Sequence, residues 1–254
     1  MITIAGRPSE PASLVDEFPA DGVERKIIEQ MAASSTDYRF ASAKELWFEL
    51  SLRREIIDAS NALNRSGLRF AIFRKAECNT DFWELTPEGG FKQRADVKAS
   101  DAVRDIFKNG RKYATECATG MVIVYLGALL NLFGDEKFNQ HFNGIYLMNW
   151  HNLPRNIREI GWMNKEPDYF PGDRRYFANP DVDPVTPEWQ GENVIDLSGG
   201  LYYGHGMGKR KADEIIAALN RRRKPDATRS AYLMDSAGRP NFKRLASLYY
   251  GGGQ

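Results

Sequence analysis

The stretch YATECATGMVIVYLGALL, Tyr113 to Leu130, decides how the rest of the chain is interpreted. It places Glu116 and Cys117 side by side at the start of a run without charged residues. The continuous apolar part, residues 121–126, is far shorter than the roughly 20 residues that a membrane span needs. The stretch therefore predicts a buried core helix rather than a membrane helix.

Cys117 is a candidate nucleophile because of its position at the start of this helix. Thr115 is the predicted N-cap, and the helix is predicted to end before Gly134. Unpaired backbone N–H groups and the positive end of the helix dipole then favour a negative charge at Cys117. We therefore expect its thiol pKa to fall below the reference of about 8.5, which would make the thiolate available. The alternative is that Cys117 is a small buried hydrophobe without chemistry.

Around this helix the sequence predicts one mixed α+β domain, a size that 254 residues allow. Helical spacing marks residues 23–31, and a capping box of Ser42 and Glu45 opens a helix that Gly67 ends. The predicted strands are short: LRFAIFRK, FWELT, FKQRADV, GIYLMNW, RRYF, NVIDL, LYYG and SAYLM. Further helices are predicted over 100–109, over 209–222 and near the C-terminus, and residues 1–22 and 250–254 are expected to be flexible.

Composition excludes several classes of function. The 35 basic and 34 acidic side chains nearly cancel, so global charge indicates no partner. Two cysteines form no disulfide framework, and three histidines without zinc spacing indicate no metal site. The basic cluster at residues 220–225 lacks interleaved aromatic residues, so no nucleic acid is expected. The N-terminus does not resemble a secretory signal, which favours the cytoplasm.

Two downstream motifs supply possible partners for the thiol. WQGENVIDL places Glu192 between a glycine and the start of a predicted strand. LYYGHGMGK places His205 between two glycines at a predicted turn, which makes it the best imidazole candidate. A reactive cysteine at the start of a core helix, with sheet downstream, is typical of papain-like and NlpC/P60-like thiol enzymes.

These motifs, with ELWFELSLRREI, TDFWELTPEGG and GIYLMNWH, resemble the spore-coat protein-glutamine gamma-glutamyltransferases of spore-forming bacteria. The similarity runs from about Val23 to Met234, in the order and at the spacing of the family. It implies a single-domain, papain-like core that is independent of calcium and has no cofactor. It also implies protein substrates carrying glutamine and lysine, namely spore coat proteins, and a location in the mother-cell cytoplasm and then in the coat. We expect a monomer.

The resemblance also implies the roles of the site residues. Cys117 is the nucleophile, Glu192 its catalytic partner, Glu116 an auxiliary carboxylate, and His205 a supporting residue. A carboxylate is a weak base toward a thiol unless burial raises its pKa, so we expect Glu192 in an apolar cleft. The walls of this cleft are expected to include Trp150 and Trp189, although both could be plain core aromatics.

Two other functions stay open at this stage. One is a thiol peptidase, amidase or protein-glutamine deamidase that uses Cys117 with His205. The other is a coat scaffold without enzymatic activity, in which Cys117 is structural.

Overall fold

The apolar stretch that begins at Cys117 forms the central helix of the protein. The computed structural model describes residues 1–251, and the expected flexible C-terminal tail lies largely outside them. The helix spans Cys117–His141 and is interrupted at Gly134, whose φ of 70° and ψ of 166° are not helical. In its most apolar window 78% of the residues are buried, which confirms the predicted core helix.

Within the described residues, the helices are α1 Pro11–Val15, α2 Val23–Ala33, α3 Ala43–Ser66, α4 Ala99–Lys108, α5 Cys117–His141, α6 Ala212–Asn220 and α7 Phe242–Tyr250. Helix α3 begins and ends where the sequence predicts. Ser42 accepts a hydrogen bond from the Glu45 N–H, and Gly67 adopts a left-handed conformation at the C-terminus. The long contact between α3 and α5 forms the centre of the main hydrophobic core.

Within residues 1–251 the strands are short and form four sheets. In chain order they are β1 Ile2–Ile4, β2 Arg7–Pro8, β3 Tyr38–Phe40, β4 Arg69–Phe70, β5 Trp83–Leu85, β6 Phe91–Gln93, β7 Ala114–Thr115, β8 Tyr146–Leu147, β9 Arg174–Ala178, β10 Gly191–Asp196, β11 Leu201–Gly204, β12 Gly208–Lys211 and β13 Tyr232–Leu233. The largest sheet is antiparallel throughout, with the order β12-β11-β10-β9-β13. One of its faces packs on α5 through Ile195 and Tyr203, and α6 covers the other. The result is a single α+β domain.

Three segments differ from the sequence-based expectation. Residues 1–22 form β1, β2 and α1, because Ile2, Leu14 and Val15 bury their side chains in a second core under α2 and α3. In the stretch LRFAIFRK only β4 forms a strand, because its partner strand β7 has only two residues. A 3-10 turn follows β4. The predicted helix over 209–222 begins only at Ala212, because residues 208–211 pair with β11 as strand β12.

Candidate active site

Glu116, rather than Thr115, caps the N-terminus of α5. Its two carboxylate oxygens accept hydrogen bonds from the Ala118 and Thr119 N–H groups, each at 2.6 Å. Thr115 cannot take this role because it belongs to β7, where it pairs with Phe70. The prediction of a Thr115 cap was therefore wrong, and the carboxylate next to the thiol is held in place by the helix itself.

Cys117 is the first residue of α5 and lies on the wall of a cavity of about 470 Å³. The cavity has a largely apolar lining from several separated parts of the chain, with polar groups near the sulfur. Its apolar residues include Phe70, Ile72, Phe73, Trp150 and Met163, and its polar ones include Glu116, Arg174, Tyr176 and Asn193. A concave apolar pocket with a few convergent polar groups is the usual form of a reactive site.

The pKa of the Cys117 thiol is raised, not lowered as its helical position predicts. Burial is the largest cause, and the charges of Glu192 and Glu116 add to it. Hydrogen bonds from the side chain and main chain of Asn193 act in the opposite direction but do not prevail. The helix dipole stabilises the thiolate less than desolvation and the two nearby carboxylates destabilise it. The resting thiol therefore keeps its proton and needs a base.

Glu192 lies on β10 and is buried, but it is not among the described residues that line the Cys117 cavity. Only 6% of its surface is exposed, and its Oε1 has no hydrogen-bond partner among the described residues. Its carboxyl lies close over Gly204, where an added Cβ would come within 2.6 Å of Oε1. Burial, and then the charge of Glu116, raise the pKa of Glu192 well above its usual value. A carboxyl with a raised pKa is a stronger base in its ionised form, which is the property that the predicted role of Glu192 requires.

His205 lies in the β11–β12 hairpin, with 2% of its surface exposed. Its Nε2 is 3.1 Å from the Thr115 carbonyl oxygen and 3.2 Å from that of Arg69. Both neighbours are acceptors, so Nε2 carries the proton. Burial lowers the pKa of His205 to about 4. His205 is therefore a neutral donor that holds β4 and β7 together, and it does not line the Cys117 cavity within the described part of the chain.

The two predicted tryptophan walls have different positions. Trp150 lines the cavity, and its loop is tied to α5 by a hydrogen bond of 2.8 Å from the Asn149 N–H to Thr119 Oγ1. Trp189 is not among the described lining residues. Its ring packs on the α6 side of the sheet and under the Arg222 guanidinium, 4.8 Å from the ring centre.

Asn193 and Arg174 were missed by the sequence-based prediction. Asn193 Nδ2 lies 3.8 Å from Cys117 Sγ, and Arg174 Nη1 donates to Asn193 Oδ1 at 2.7 Å. The available signal was the placement of two consecutive polar residues, Glu192 and Asn193, in an otherwise apolar strand. Arg174 gave no local signal, because its proximity follows from the pairing of β9 with β10.

Among residues 1–251, no group of three or more His, Cys, Asp or Glu side chains is arranged to hold a metal ion. The second cysteine, Cys78, is half-buried and belongs to no recognised motif, and burial raises its pKa to about 11. The cavity wall carries the Cys117 thiol, the Glu116 carboxyl and the Asn193 amide, which the Arg174 guanidinium holds.

The sequence is similar to that of known proteins over almost its whole length. The sequence profile of the family described as protein-glutamine gamma-glutamyltransferase matches residues 1–249. A protein-glutamine gamma-glutamyltransferase of Bacillus pumilus is 39% identical over 249 residues, or 98% of this chain and 99% of the relative. One from Halalkalibacterium halodurans is 41% identical over 92% of this chain and 80% of the relative. A solved transglutaminase from Geobacillus stearothermophilus, without its C-terminal extension, is 47% identical with a TM-score of 0.77, covering 82% of this chain and 98% of that chain.

Proposed function

The chain belongs to the protein-glutamine gamma-glutamyltransferase family, and from this premise we propose that Cys117 is its nucleophile and Glu192 its principal acid and base. The chain is thus a transglutaminase that acts on protein glutamine. The observation that carries the residue roles is the cavity itself. It holds a helix-terminal thiol on an apolar wall beside Glu116. Glu192 is buried and does not belong to the described lining, but it is near enough for its charge to raise the thiol pKa.

The first half-reaction forms a thioester. Glu192, in its ionised form, accepts the Cys117 proton while Sγ attacks the γ-carboxamide carbon of a glutamine side chain. The carbonyl π electrons move to oxygen, and they return when the C–N bond breaks. The departing nitrogen takes the proton from Glu192 and leaves as ammonia. The pKa of Glu192 is raised, so the carboxyl is suited both to remove and to return this proton.

The second half-reaction transfers the acyl group to a lysine ε-amine. Lysine arrives as an ammonium ion, and Glu116 lies on the cavity wall where it can attract that charge. A carboxylate takes one proton from the ammonium ion and passes it to solvent, which frees the amine to attack the thioester carbon. The tetrahedral intermediate then collapses, the C–S bond breaks, and the second nitrogen proton passes through the carboxylate to Sγ, which leaves as the thiol. The apolar lining limits access of water, which would otherwise hydrolyse the thioester.

The first oxyanion donor is the Cys117 backbone N–H. The first N–H groups of a helix have no acceptor within the helix, and Glu116 takes those of Ala118 and Thr119. No described residue accepts a hydrogen bond from the Cys117 N–H, which leaves it free for the oxygen of the tetrahedral intermediate.

The finer points of the biological role are part of the same proposal. A thiol at the start of a core helix, packed on an antiparallel sheet, supports a papain-like arrangement. We assign spore coat proteins as substrates, the mother-cell cytoplasm and then the coat as location, and a monomer that works without calcium. These assignments follow from the resemblance of the motifs to spore-coat transglutaminases.

Incorporation of a fluorescent primary amine into a glutamine-rich protein, with EDTA present, tests the reaction. Cys117→Ala should abolish incorporation, and Cys78→Ala should retain it. Full activity of Cys117→Ala would overturn the nucleophile assignment. Loss of wild-type activity in EDTA, restored by calcium, would overturn metal independence. Cleaved or merely deamidated product without amine incorporation would indicate a peptidase or deamidase instead.

A second pair of variants separates the carboxylates. Glu192→Gln should lower the rate of incorporation by about 10²–10⁴-fold, the usual worth of a general base. Glu116→Gln should be milder in rate, because Gln keeps one oxygen to accept a helix N–H. A dead Glu116→Gln variant beside an active Glu192→Gln variant would reverse the two roles.

A further inference from the structure

We infer that Asn193 is the second donor of the oxyanion hole and that Arg174 is the residue that positions it. This inference rests on the proposed reaction at Cys117. It assigns a role to two buried residues that the thiol and carboxylate chemistry leaves without one.

The position of the Asn193 amide is the first observation. Its Nδ2 lies 3.8 Å from Cys117 Sγ, on the wall of the cavity, and 6% of the residue is exposed. This separation is that of a long, weak hydrogen bond to the sulfur. It leaves room for an oxygen on the carbon that becomes bound to Sγ, which is where an oxyanion donor must point.

The orientation of the amide is fixed by Arg174. A guanidinium has donors only, so the Asn193 atom that faces Nη1 at 2.7 Å must be the carbonyl oxygen. The amide nitrogen is thereby turned toward Cys117. The reverse orientation would place two N–H donors against each other and would cost an unmade buried hydrogen bond.

Arg174 is itself held rigidly. Its Nη2 donates to the Ile160 carbonyl at 2.8 Å and to the Trp162 carbonyl at 3.1 Å, and the Trp150 ring centre lies 4.3 Å from its guanidinium carbon. Gly238 lies against its other side, where an added Cβ would come within 2.6 Å of Nη2. The amide therefore needs no reorganisation when the oxyanion forms.

The charge of Arg174 is the second observation. Only 2% of its surface is exposed, its Nε has no hydrogen-bond partner, and no carboxylate of residues 1–251 forms an ion pair with it. A buried cation normally has a partner of opposite charge. Here the anion that completes the site forms only during the reaction, on the substrate oxygen. The positive charge also polarises the Asn193 amide and strengthens its N–H donors.

The test uses two reactions of Cys117 in a Cys78→Ala background. Acyl transfer passes through an oxyanion, whereas alkylation by iodoacetamide does not. Asn193→Ala should lower kcat for amine incorporation by about 10²–10³-fold, as loss of one oxyanion donor does elsewhere, and should leave the alkylation rate within a few-fold of the parent. Asn179→Ala is the matched control, because Asn179 is a buried asparagine that donates to the Trp189 and Leu219 carbonyls. It should retain kcat.

Arg174 is tested by a double-mutant cycle in kcat. If Arg174 acts through Asn193, the single variant Arg174→Met should lower kcat. The same substitution should lower kcat little further when it is added to Asn193→Ala. Arg174→Lys, which can still donate to Oδ1, should recover part of the loss.

The outcomes separate the claims. Unchanged kcat in Asn193→Ala would overturn the oxyanion assignment, and an equal fall in alkylation would mean that Asn193 stabilises the thiolate instead. If the free-energy losses in kcat of the Arg174→Met and Asn193→Ala single variants add in full in the double variant, the positioning role of Arg174 is overturned. Absence of amine incorporation in the parent protein, by contrast, would overturn the proposed reaction itself.

Discussion

Glu192 links the burial of one carboxyl to the pH range in which the enzyme works. Burial and the nearby charge of Glu116 raise its pKa, so Glu192 is protonated below that raised value and ionised above it. Only the ionised form can accept the thiol proton. Activity should therefore be lost as pH falls, at a higher pH than the ordinary glutamate pKa of about 4.3 predicts. The dependence of kcat on pH should show this limb in the wild type.

Glu192→Gln supplies the comparison for that limb. Its residual rate of amine incorporation should no longer fall over the same pH interval, because no proton is bound there at position 192. An identical limb in both proteins would assign the titration to another group.

His205 makes stability depend on pH in a separate way. Burial lowers its pKa to about 4, whereas an unfolded histidine titrates near 6.5. Between these two pH values the unfolded chain binds more protons than the folded chain. The contribution of neutral His205 to the free energy of unfolding is therefore fully present above pH 6.5 and is lost as the pH falls toward 4. The shift corresponds to roughly 3 kcal/mol. Urea midpoints at pH 7 and pH 4.5 should differ less in His205→Gln than in the wild type.

His151 provides the control for this measurement because it is exposed in a loop. His151→Gln should keep the wild-type difference between the two midpoints. If His205→Gln kept it as well, the acid sensitivity would come from other buried groups.

At the scale of elements, the start of α5 is positioned by close contact with the β11–β12 hairpin. A Cβ at Gly120 would lie 2.7 Å from the Cβ and Cγ of His205, which is held by the Thr115 and Arg69 carbonyls. Gly120→Ala should therefore displace the helix start and Cys117 with it. A misplacement on the order of 1 Å can cost about 10²-fold in rate, so kcat per folded enzyme should fall.

Gly127→Ala is the matched variant on the same helix. Its Cβ would lie 2.3 Å from the tip of the Phe107 ring, about three turns away from Cys117. It should lower the melting temperature while leaving kcat of the folded fraction near the wild-type value. Equal losses of kcat in both variants would show that general packing, rather than the helix start, limits the rate.

Sequence predicted the elements whose signals are local. Helix α3 has its cap and its terminal glycine within its own sequence, and α5 has an apolar run that is too short to span a membrane and is therefore expected in the core. The strand β12 was missed because its pairing with β11 outweighs the helical pattern of residues 209–222. Short strands of this kind depend on their partners, which the sequence does not locate.

The candidate site was predictable to the same extent. Cys117 and Glu192 stand in recognisable motifs, and the burial of Glu192 follows from the chemistry it must perform. Arg174 lies next to Asn193 only because Ile195 pairs with Arg174 and Asn193 with Tyr176 across two strands. The sign of the thiol pKa shift also depends on burial and on neighbouring charges, and these exist only in the folded chain.

At the scale of the whole molecule, one buried carboxylate joins three parts of the fold. Asp173 precedes β9 and has no exposed side-chain surface. It accepts hydrogen bonds from Arg53 of α3 at 2.8 Å, from Arg239 before α7 at 2.6 and 2.7 Å, and from the Phe170 N–H at 2.9 Å. Although burial opposes it, the Arg53 charge and the Arg239 hydrogen bonds hold the pKa of Asp173 below its usual value. The carboxylate thus stays ionised and connects the N-terminal layer to the sheet that carries Glu192.

Asp173→Asn should destabilise the whole domain, because it removes the negative charge shared by two arginines that remain in place. Loss of one partner from a buried ionic group typically costs about 3–5 kcal/mol. Tryptophan fluorescence and far-UV circular dichroism should follow one urea transition, shifted together to lower urea, since Asp173 contacts both layers. Asp37→Asn is the control. Asp37 pairs with Arg39 at 2.6 Å on the surface, where solvent screens the interaction, so its loss should barely move the midpoint. If the two variants unfolded at the same urea concentration, Asp173 would be no more than a local contact, and the coupling between the layers would depend on the apolar contacts of α3 alone.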